Sequence, residues 1–185
     1  MLVIVAQALF FFLPAYIANM FPVVFGKVKW LQPFRKPIDG GRKWNSQPVF
    51  GENKTYFGFL VGVTGAVLMG LVQFGIFVYF PQTHWLFLTD YSSFAFVLTL
   101  SFLLGFGSLL GDLCKSFFKR RLGIANSAPF FPFDQLDLVV GGLLLSSIFY
   151  FPSWNHVLVL LILTPLLHFL SNCTAYMLGF KKVWW

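Results

Sequence analysis

Residues 111–137, GDLCKSFFKRRLGIANSAPFFPFDQLD, combine acidic and basic side chains at spacings that favour a shared site. If this segment begins as a helix, Asp112, Lys115, Ser116 and Lys119 lie at positions i, i+3, i+4 and i+7. Side chains at these positions share one face of a helix. One carboxylate, two ammonium groups and a hydroxyl are therefore predicted to point the same way.

Two further acids, Asp134 and Asp137, lie at i and i+3, so a helix that starts there would aim both in one direction. Arg120, at i+8 from Asp112, lies near the first face. Mg²⁺ prefers one or two carboxylates together with phosphate oxygens and water, while Lys and Arg bind the remaining phosphate charge. The pattern predicts a site for a nucleotide or pyrophosphate with its metal ion.

Two plainer explanations of these charges stay open at this point. Asp112 could serve only to pair with Lys115 or Lys119, although a single ion pair would not need three acids and four bases in one segment. Attraction to anionic lipid headgroups explains basic residues but not the acids. We expect this attraction to explain some of the following basic residues: Lys27, Lys29, Arg121, Lys181 and Lys182.

The first polar segment of the chain carries a second set of candidate residues. Its glycines allow tight turns and a close approach of backbone N–H groups to phosphate. Its last residues directly precede an apolar run, where a helix N-terminus favours an anion. Taken alone, such a stretch is more often an ordinary turn than a site. The set comprises Pro37-Ile38-Asp39-Gly40-Gly41, Gly51-Glu52-Asn53-Lys54-Thr55 and Gly58.

Apolar helices must position both sets. Of 185 residues, 58 % are hydrophobic and 10 % charged, whereas a soluble domain carries about a quarter charged residues; a water-soluble globule is therefore excluded. An aromatic content of 21 % likewise excludes disorder. We predict an all-α integral membrane bundle, a single domain over residues 1–185 without a large extramembrane part. Its five spans are expected at residues 1–26, 57–81, 94–111, 138–151 and 156–180.

The basic residues indicate the orientation. Seven lie in residues 27–56, four in 112–136 and two in the C-terminal tail, whereas 82–93 and 152–155 contain none. Five spans place all 13 on one side, while four or six spans would split them. The positive-inside rule then predicts an N-terminus outside and a C-terminus in the cytoplasm. We expect a multi-pass protein of the cell membrane with both candidate loops, 27–56 and 112–136, on the cytoplasmic side.

Two helices are expected to reach beyond their apolar runs. Residues 94–111 are short for a bilayer, so we predict that this helix continues into the polar segment. The fourth helix is expected to begin before Asp137. Small residues at four-residue spacing let helix backbones approach closely in lipid. They are Gly58, Gly62, Ala66 and Gly70 in the second run, and Gly107 and Gly111 in the third.

Other reaction classes lack their residues in this sequence. His84 and His156 fall on the outer side without a Ser or Cys nucleophile pattern, and His168 reads as a hydrogen-bonded core residue. No GxSxG or HExxH motif is present, so we expect neither covalent nor zinc catalysis. A transporter of an anion or of Mg²⁺ would need polar groups through the bilayer, and only scattered ones such as Gln73 are present. A non-catalytic scaffold would tolerate replacement of the acids.

The acidic segment resembles the C-terminal signature of membrane CTP-dependent cytidylyltransferases, in the pattern Gly111-Asp112-x-x-Lys115-Ser116-x-x-Lys119-Arg120 and Pro132-x-Asp134-Gln135-x-Asp137. The first loop resembles that of the archaeal branch, in Pro37-x-Asp39-Gly40-Gly41 and Gly51-x-Asn53-Lys54-Thr55-x-x-Gly58. Bacterial phosphatidate cytidylyltransferases typically carry a Lys-Asp and a His-Gly-Gly before the final acids, whereas residues 123–132 contain no His. Over essentially its full length, the chain resembles the CDP-archaeol synthase family, which implies five spans and two working cytoplasmic loops.

This resemblance implies transfer of CMP from CTP to 2,3-di-O-geranylgeranylglyceryl phosphate, giving CDP-archaeol and pyrophosphate, with Mg²⁺ as cofactor. The expected partners are CTP, the isoprenoid ether-lipid phosphate and membrane lipids, with no nucleic acid polymer. The lipid phosphate is itself the nucleophile. It is largely dianionic near pH 7 because its second pKa is about 6. An ester-linked phosphatidic acid remains the alternative substrate because its headgroup chemistry is identical.

The resemblance also suggests a role for each candidate residue. Mg²⁺ is expected on Asp112, Asp134 and Asp137, which form the catalytic set with Lys115 and Lys119. Phosphates of CTP or of the lipid are expected on Lys115, Ser116, Lys119 and Arg120. The nucleotide site is expected to be closed by Asp39, Asn53, Lys54 and Thr55, with its backbone shaped by Gly40, Gly41 and Gly58.

Overall fold

The chain is built almost wholly of helices. The computed structural model describes residues 1–26, 28, 33–125 and 128–177. A two-stranded antiparallel hairpin, β1 (Lys43–Trp44) and β2 (Gln47–Pro48), lies in the first polar segment, and a short 3₁₀ helix covers Pro81–Leu86. The five α-helices are α1 (Leu2–Phe25), α2 (Tyr56–Tyr79), α3 (Phe94–Arg121), α4 (Phe133–Ser146) and α5 (Trp154–Met177).

Four of these helices are long and apolar enough to cross a membrane: α1, α2, α3 and the part of α5 up to Thr174. The fourth helix has 14 residues, which at 1.5 Å per residue give about 21 Å, less than the roughly 30 Å of a hydrocarbon core. The helical fold predicted from composition is confirmed. The last predicted span, 156–180, ends outside the described residues. Also outside them lie Lys27, Lys29, Lys181 and Lys182.

Helix α3 continues past its apolar run, as predicted. Its N-cap Ser93 accepts a hydrogen bond from the backbone N–H of Phe96, and the helix runs without a break to Arg121. It stops where Gly123 adopts a φ of 69°, a left-handed conformation that favours glycine. Helix α4 begins at Phe133, before Asp137, also as predicted. These two extensions bring the ends of both helices into the polar segment.

Consecutive helices run in alternating directions. At one end of the bundle, the side-chain amide of Gln7 donates to the carbonyl of Trp85 and lies 3.2 Å from Nε2 of His156. There, too, the Tyr150 hydroxyl donates to the carbonyl of Leu88. The other end, called here the site end, holds the last turn of α3, the first turn of α4 and the first polar segment. Both candidate loops therefore lie at the same end.

Glycines let α3 and α4 touch along their backbones. A Cβ added at Gly111 would overlap the carbonyl oxygen of Asp137, and one added at Gly107 would overlap that of Gly141. In lipid, such small residues allow close helix contact. The same holds for α2, where a Cβ on Gly62 would lie 2.6 Å from the carbonyl oxygen of Ala18 in α1. Because Gly111 directly precedes Asp112, a close contact between α3 and α4 lies beside the candidate site.

Candidate active site

The three acids predicted as one set meet at the site end around a single lysine. The ammonium nitrogen of Lys115 lies 3.0 Å from Asp112 Oδ1, 3.2 Å from Asp134 Oδ1 and 2.8 Å from Asp137 Oδ2. Asp112 and Lys115 come from the last turns of α3, whereas the other two acids come from the first turns of α4. The contact between the two helices at Gly111 thus brings acids from distant parts of the sequence together.

Two further lysines complete the cluster. Lys119 Nζ lies 3.2 Å from Asp134 Oδ2, and Lys54 donates a hydrogen bond to Asp112. Three carboxylates therefore face three ammonium groups. The partial burial of the cluster strengthens these interactions, because nearby protein replaces water. Lys54 arrives from the first loop, so the structure brings the two sequence sets into direct contact at this pair.

Backbone groups orient two of the acids. The N–H of Phe130 donates to Asp134 Oδ2 at 2.7 Å, and the N–H of Leu138 donates to Asp137 Oδ1 at 2.7 Å. Ser116, predicted to donate to a phosphate, donates instead to the carbonyl oxygen of Asp112 at 2.8 Å. Its hydroxyl retains lone pairs but its proton is engaged, so in this conformation Ser116 serves the helix backbone.

Asp39 organises the first loop rather than facing the cluster. Its Oδ1 accepts from the N–H of Gly41, and its Oδ2 accepts from those of Phe50 and Gly51, at 2.9 to 3.0 Å. Burial alone would raise the pKa of Asp39, but these backbone hydrogen bonds outweigh it and lower the pKa below its ordinary value. Gly40 has a φ of 59°, a conformation that the turn around Asp39 requires and glycine permits.

The remaining first-loop residues divide between the helix start and the surface. Thr55 is the N-cap of α2, and its hydroxyl accepts from the N–H of Gly58 at 3.0 Å. The N–H of Ile38 donates to the carbonyl of Lys54 at 2.7 Å, which fixes the backbone that carries this lysine to Asp112. Asn53 is exposed. Of the nucleotide-site set predicted in this loop, only Lys54 places a side chain in the acidic cluster.

Arg120 is a buried cation that pairs with no carboxylate in the described part of the chain. The residue is 8 % exposed, and its Nε has no hydrogen-bond partner among the residues that the structure describes. No ion pair to Arg120 occurs within the described ranges, whereas Lys115 and Lys119 on the same helix both face acids. A buried guanidinium is costly unless it meets an anion. This environment fits the predicted role of Arg120 in binding a phosphate, which stays a prediction.

Arg121 has a role that the sequence interpretation missed. Its guanidinium donates to the backbone carbonyls of Trp44, Gln47 and Pro48 at 2.7, 3.3 and 2.6 Å. It also lies 5.3 Å from the ring centroid of Phe117, a cation–π distance. Arg121, one of the five basic residues for some of which we expect attraction to lipid headgroups, fastens the β1–β2 hairpin to the end of α3. The Asn45-Ser46 pair is the signal for such a hairpin, since turn residues with positive φ favour it.

The acidic cluster fits a hard divalent cation by its donor set. Carboxylate oxygens from three residues lie within 3.2 Å of one point, the Lys115 nitrogen, and Mg²⁺ takes oxygen ligands of this kind. Within the described ranges, no three His, Cys, Asp or Glu residues form a ready-made metal cluster. The carboxylates are close enough to share a cation, but in this arrangement that cation is an ammonium group.

Comparison with known proteins agrees with this architecture. The family model described as CarS-like, CDP-archaeol synthase, matches residues 1–185. A CDP-archaeol synthase of Methanospirillum hungatei is 42 % identical, covering 94 % of this chain and 99 % of that protein. One of Thermococcus gammatolerans is 39 % identical, covering 96 % and 95 %.

A solved structure is similar in both fold and sequence. It is described as "Structural insight into an intramembrane enzyme for archaeal membrane lipids biosynthesis". The TM-score is 0.70 at 29 % identity, covering 89 % of this chain and 92 % of that one. Apolar helices, a lysine–carboxylate cluster at one end of the bundle and a family match over the full length lead to one conclusion: the chain is a membrane enzyme that belongs to the CDP-archaeol synthase family.

Proposed function

We propose that the chain transfers the cytidylyl group of CTP to an isoprenoid ether-lipid phosphate, 2,3-di-O-geranylgeranylglyceryl phosphate, forming CDP-archaeol and pyrophosphate. The observation that carries this proposal is the lysine–carboxylate cluster at the end of an apolar bundle. Lys115 Nζ lies within 3.2 Å of three carboxylates there. A phosphate-handling site at a helix end is where a water-soluble nucleotide and a membrane-bound lipid headgroup can meet.

The reaction needs little covalent chemistry from the protein. An oxygen of the lipid phosphate forms a bond to the α-phosphorus of CTP, and the bond from that phosphorus to the bridging oxygen breaks, releasing pyrophosphate. The lipid phosphate is largely dianionic near pH 7 because its second pKa is about 6, so it needs no general base. What remains is to overcome repulsion between anions and to align the attack, as in other phosphoryl transfers.

The cationic side chains of the site overcome the repulsion between the anions. Lys54, Lys115 and Lys119 line the cluster, and buried Arg120 offers a guanidinium that no acid of the described ranges neutralises. Arg binds phosphate through paired, charge-assisted hydrogen bonds. Asp112, Asp134 and Asp137 would hold Mg²⁺. When bound, that ion neutralises charge on the phosphates.

The second task, alignment, falls to the rigid junction of α3 and α4. The backbones touch at Gly111 and Gly141, and backbone N–H groups fix the carboxylates of Asp134 and Asp137. The hairpin held by Arg121 keeps the first loop against α3. An attacking oxygen and a leaving pyrophosphate would thus meet a site whose charged groups are already oriented, which lowers the cost of alignment.

Five spans with a cytoplasmic site form part of the same proposal. The five helices alternate in direction, which suits five crossings. Short α4 packs mainly against α3, so a long neighbour covers it, and it can cross where the bilayer thins locally. The site end carries the basic first loop and the basic end of α3, and the positive-inside rule assigns such an end to the cytoplasm.

Incorporation of labelled CTP into a lipid extract by the purified protein tests the proposal. We expect label in the lipid with Mg²⁺ and none with EDTA, with the ether-linked isoprenoid phosphate preferred over a diacyl phosphate. Preference for the diacyl lipid would make the chain a phosphatidate cytidylyltransferase instead. No label with either lipid, from protein shown to be folded, would refute the transferase.

A pair of matched variants tests the site itself. Asp112→Asn removes one charge from the cluster and should abolish turnover while the protein still folds. Asp90→Asn makes the same change at the opposite end of the bundle, where Asp90 accepts two hydrogen bonds from Ser92, and should leave turnover unchanged. Near-normal activity of Asp112→Asn would contradict the assignment of Asp112 to metal binding.

A further inference from the structure

Lys115 stands at the centre of the acidic cluster. Its nitrogen is 2.8 to 3.2 Å from carboxylates of Asp112, Asp134 and Asp137, whereas Lys54 and Lys119 each contact one acid. Its side chain is 14 % exposed, and that of Asp137 is 6 % exposed. The chain therefore places one of its own cations at the point that three carboxylates share, and does so across the junction of two helices.

The charge balance makes this position informative. Three carboxylates and three ammonium groups sum to zero, so a divalent cation entering beside them would give the cluster two excess positive charges. Like charges a few ångströms apart in a partly buried site repel strongly. A divalent cation on these oxygens therefore requires an ammonium group to leave. Lys115 is the group in the way because it alone contacts all three acids.

We propose that Lys115 is an exchangeable counter-ion, which holds the three carboxylates together without metal and yields them to the divalent cation that accompanies CTP. The lysine has a flexible four-carbon stem, so its ammonium can turn from the carboxylates to the incoming triphosphate. Positive charge from the metal and negative charge from the nucleotide then enter together, and the cluster stays near neutrality. The inference rests on the proposed function in taking these acids as the metal-holding set.

Binding of Mn²⁺ as a spectroscopic probe for Mg²⁺, without nucleotide or lipid, tests this role. Electron paramagnetic resonance of the full-length protein in detergent measures free Mn²⁺ directly. Lys115→Met removes the competing charge and should tighten Mn²⁺ binding by about tenfold or more. Lys119→Met, which removes one of the two ammonium groups that contact Asp134, should tighten it less. Lys43→Met, an exposed lysine of the hairpin, is the matched control and should change nothing.

The sign of the effect separates this role from a plain phosphate-binding role. A lysine that only binds phosphate leaves Mn²⁺ affinity unchanged without nucleotide, so unchanged or weaker binding by Lys115→Met would overturn the proposal. An equal gain in Lys43→Met would overturn it too, because the effect would then be one of net charge. Because the assay contains no CTP or lipid, its result can refute this proposal without refuting the proposed transferase activity, and the reverse also holds.

A measurement on the unaltered protein keeps the inference testable if Lys115→Met does not fold. An amine-acylating reagent followed by mass spectrometry reports how accessible each lysine is. Lys115 should react slowly alone, faster with Mg²⁺ and slowly again when CTP is added, since the ammonium moves from carboxylate to triphosphate. The exchange would be overturned if the acylation rate of Lys115 did not change at Mg²⁺ concentrations high enough to displace all bound Mn²⁺. Lys43 should react equally in all three conditions.

Discussion

Replacing Arg121 with lysine should loosen the hairpin formed by β1 and β2 from the end of α3. Two nitrogens of the guanidinium donate three hydrogen bonds to carbonyls of Trp44, Gln47 and Pro48. Its carbon lies 5.5 Å from the Trp44 ring centroid and 5.3 Å from that of Phe117. Lysine keeps the charge but has one nitrogen and no planar face, so it cannot reach all three carbonyls from α3.

The size of the effect follows from these contacts. A hydrogen bond from a charged donor contributes about 1.5–3 kcal/mol when well shielded, and less at this partly exposed position. Losing two bonds at about 1 kcal/mol each gives about 2 kcal/mol. That corresponds to roughly a thirtyfold shift in the equilibrium between docked and undocked hairpin. The free energy of unfolding of the helical bundle should change little, because the hairpin packs against the end of α3 and lies outside the contacts between the helices.

Hydrogen exchange read by mass spectrometry measures this docking. Amides of residues 43–49, which include the bond from Val49 N–H to the Arg42 carbonyl, should lose protection in Arg121→Lys, while those of the helices keep theirs. Arg42→Lys is the matched control: it is an exposed arginine of the same loop and should leave protection unchanged. Equal protection of residues 43–49 in Arg121→Lys and in the parent protein would refute the reasoning.

Two further predictions concern the helix junction and the first loop. Gly111→Val should force α3 and α4 apart, because a Cβ there overlaps the Asp137 carbonyl; we expect a lower melting temperature and loss of CTP incorporation, and unchanged melting would contradict the contact. Asp39→Asn should lower amide protection of residues 39–51 about tenfold at pH 7, since a neutral amide is a weaker acceptor for three N–H groups. Because the pKa of Asp39 is lowered in the folded loop, its stabilisation is complete above the unfolded pKa of about 4 and is lost as the pH falls through the folded pKa. This acid sensitivity should be absent from Asp39→Asn, and its persistence would show that another group titrates.

The parts of the fold that were predicted depend on local signals. The apolar runs predicted the helices, and the continuation of α3 into the polar segment was predicted because residues 94–111 are short for a bilayer. The helical spacing of Asp112 and Lys115, and that of Asp134 and Asp137, predicted that each pair shares a face. All of these are properties of residues a few positions apart.

The assignments that the sequence could not make depend on distant contacts. The role of Asp39 in closing a nucleotide site stays a prediction, and its three hydrogen bonds to the backbone add that it shapes the loop around itself. The contact of Arg121 with Trp44, 77 positions away, was not predicted. Neither contact is visible in composition or spacing. A polar side chain near glycines or at a helix end can face the backbone, the solvent or a ligand, and the neighbouring residues do not distinguish these three cases.

By itself, the sequence determined that this chain is a helical membrane bundle whose acids and bases gather in two polar segments, because hydrophobicity and helical periodicity are encoded residue by residue. Only the tertiary structure decided that Lys115 meets three carboxylates and that Lys54 reaches Asp112 from 58 positions away. Those contacts require α3 and α4 to touch at Gly111 and Gly141 and the first loop to fold back over α3. Packing between elements sets such distances, and no run of neighbouring residues contains them.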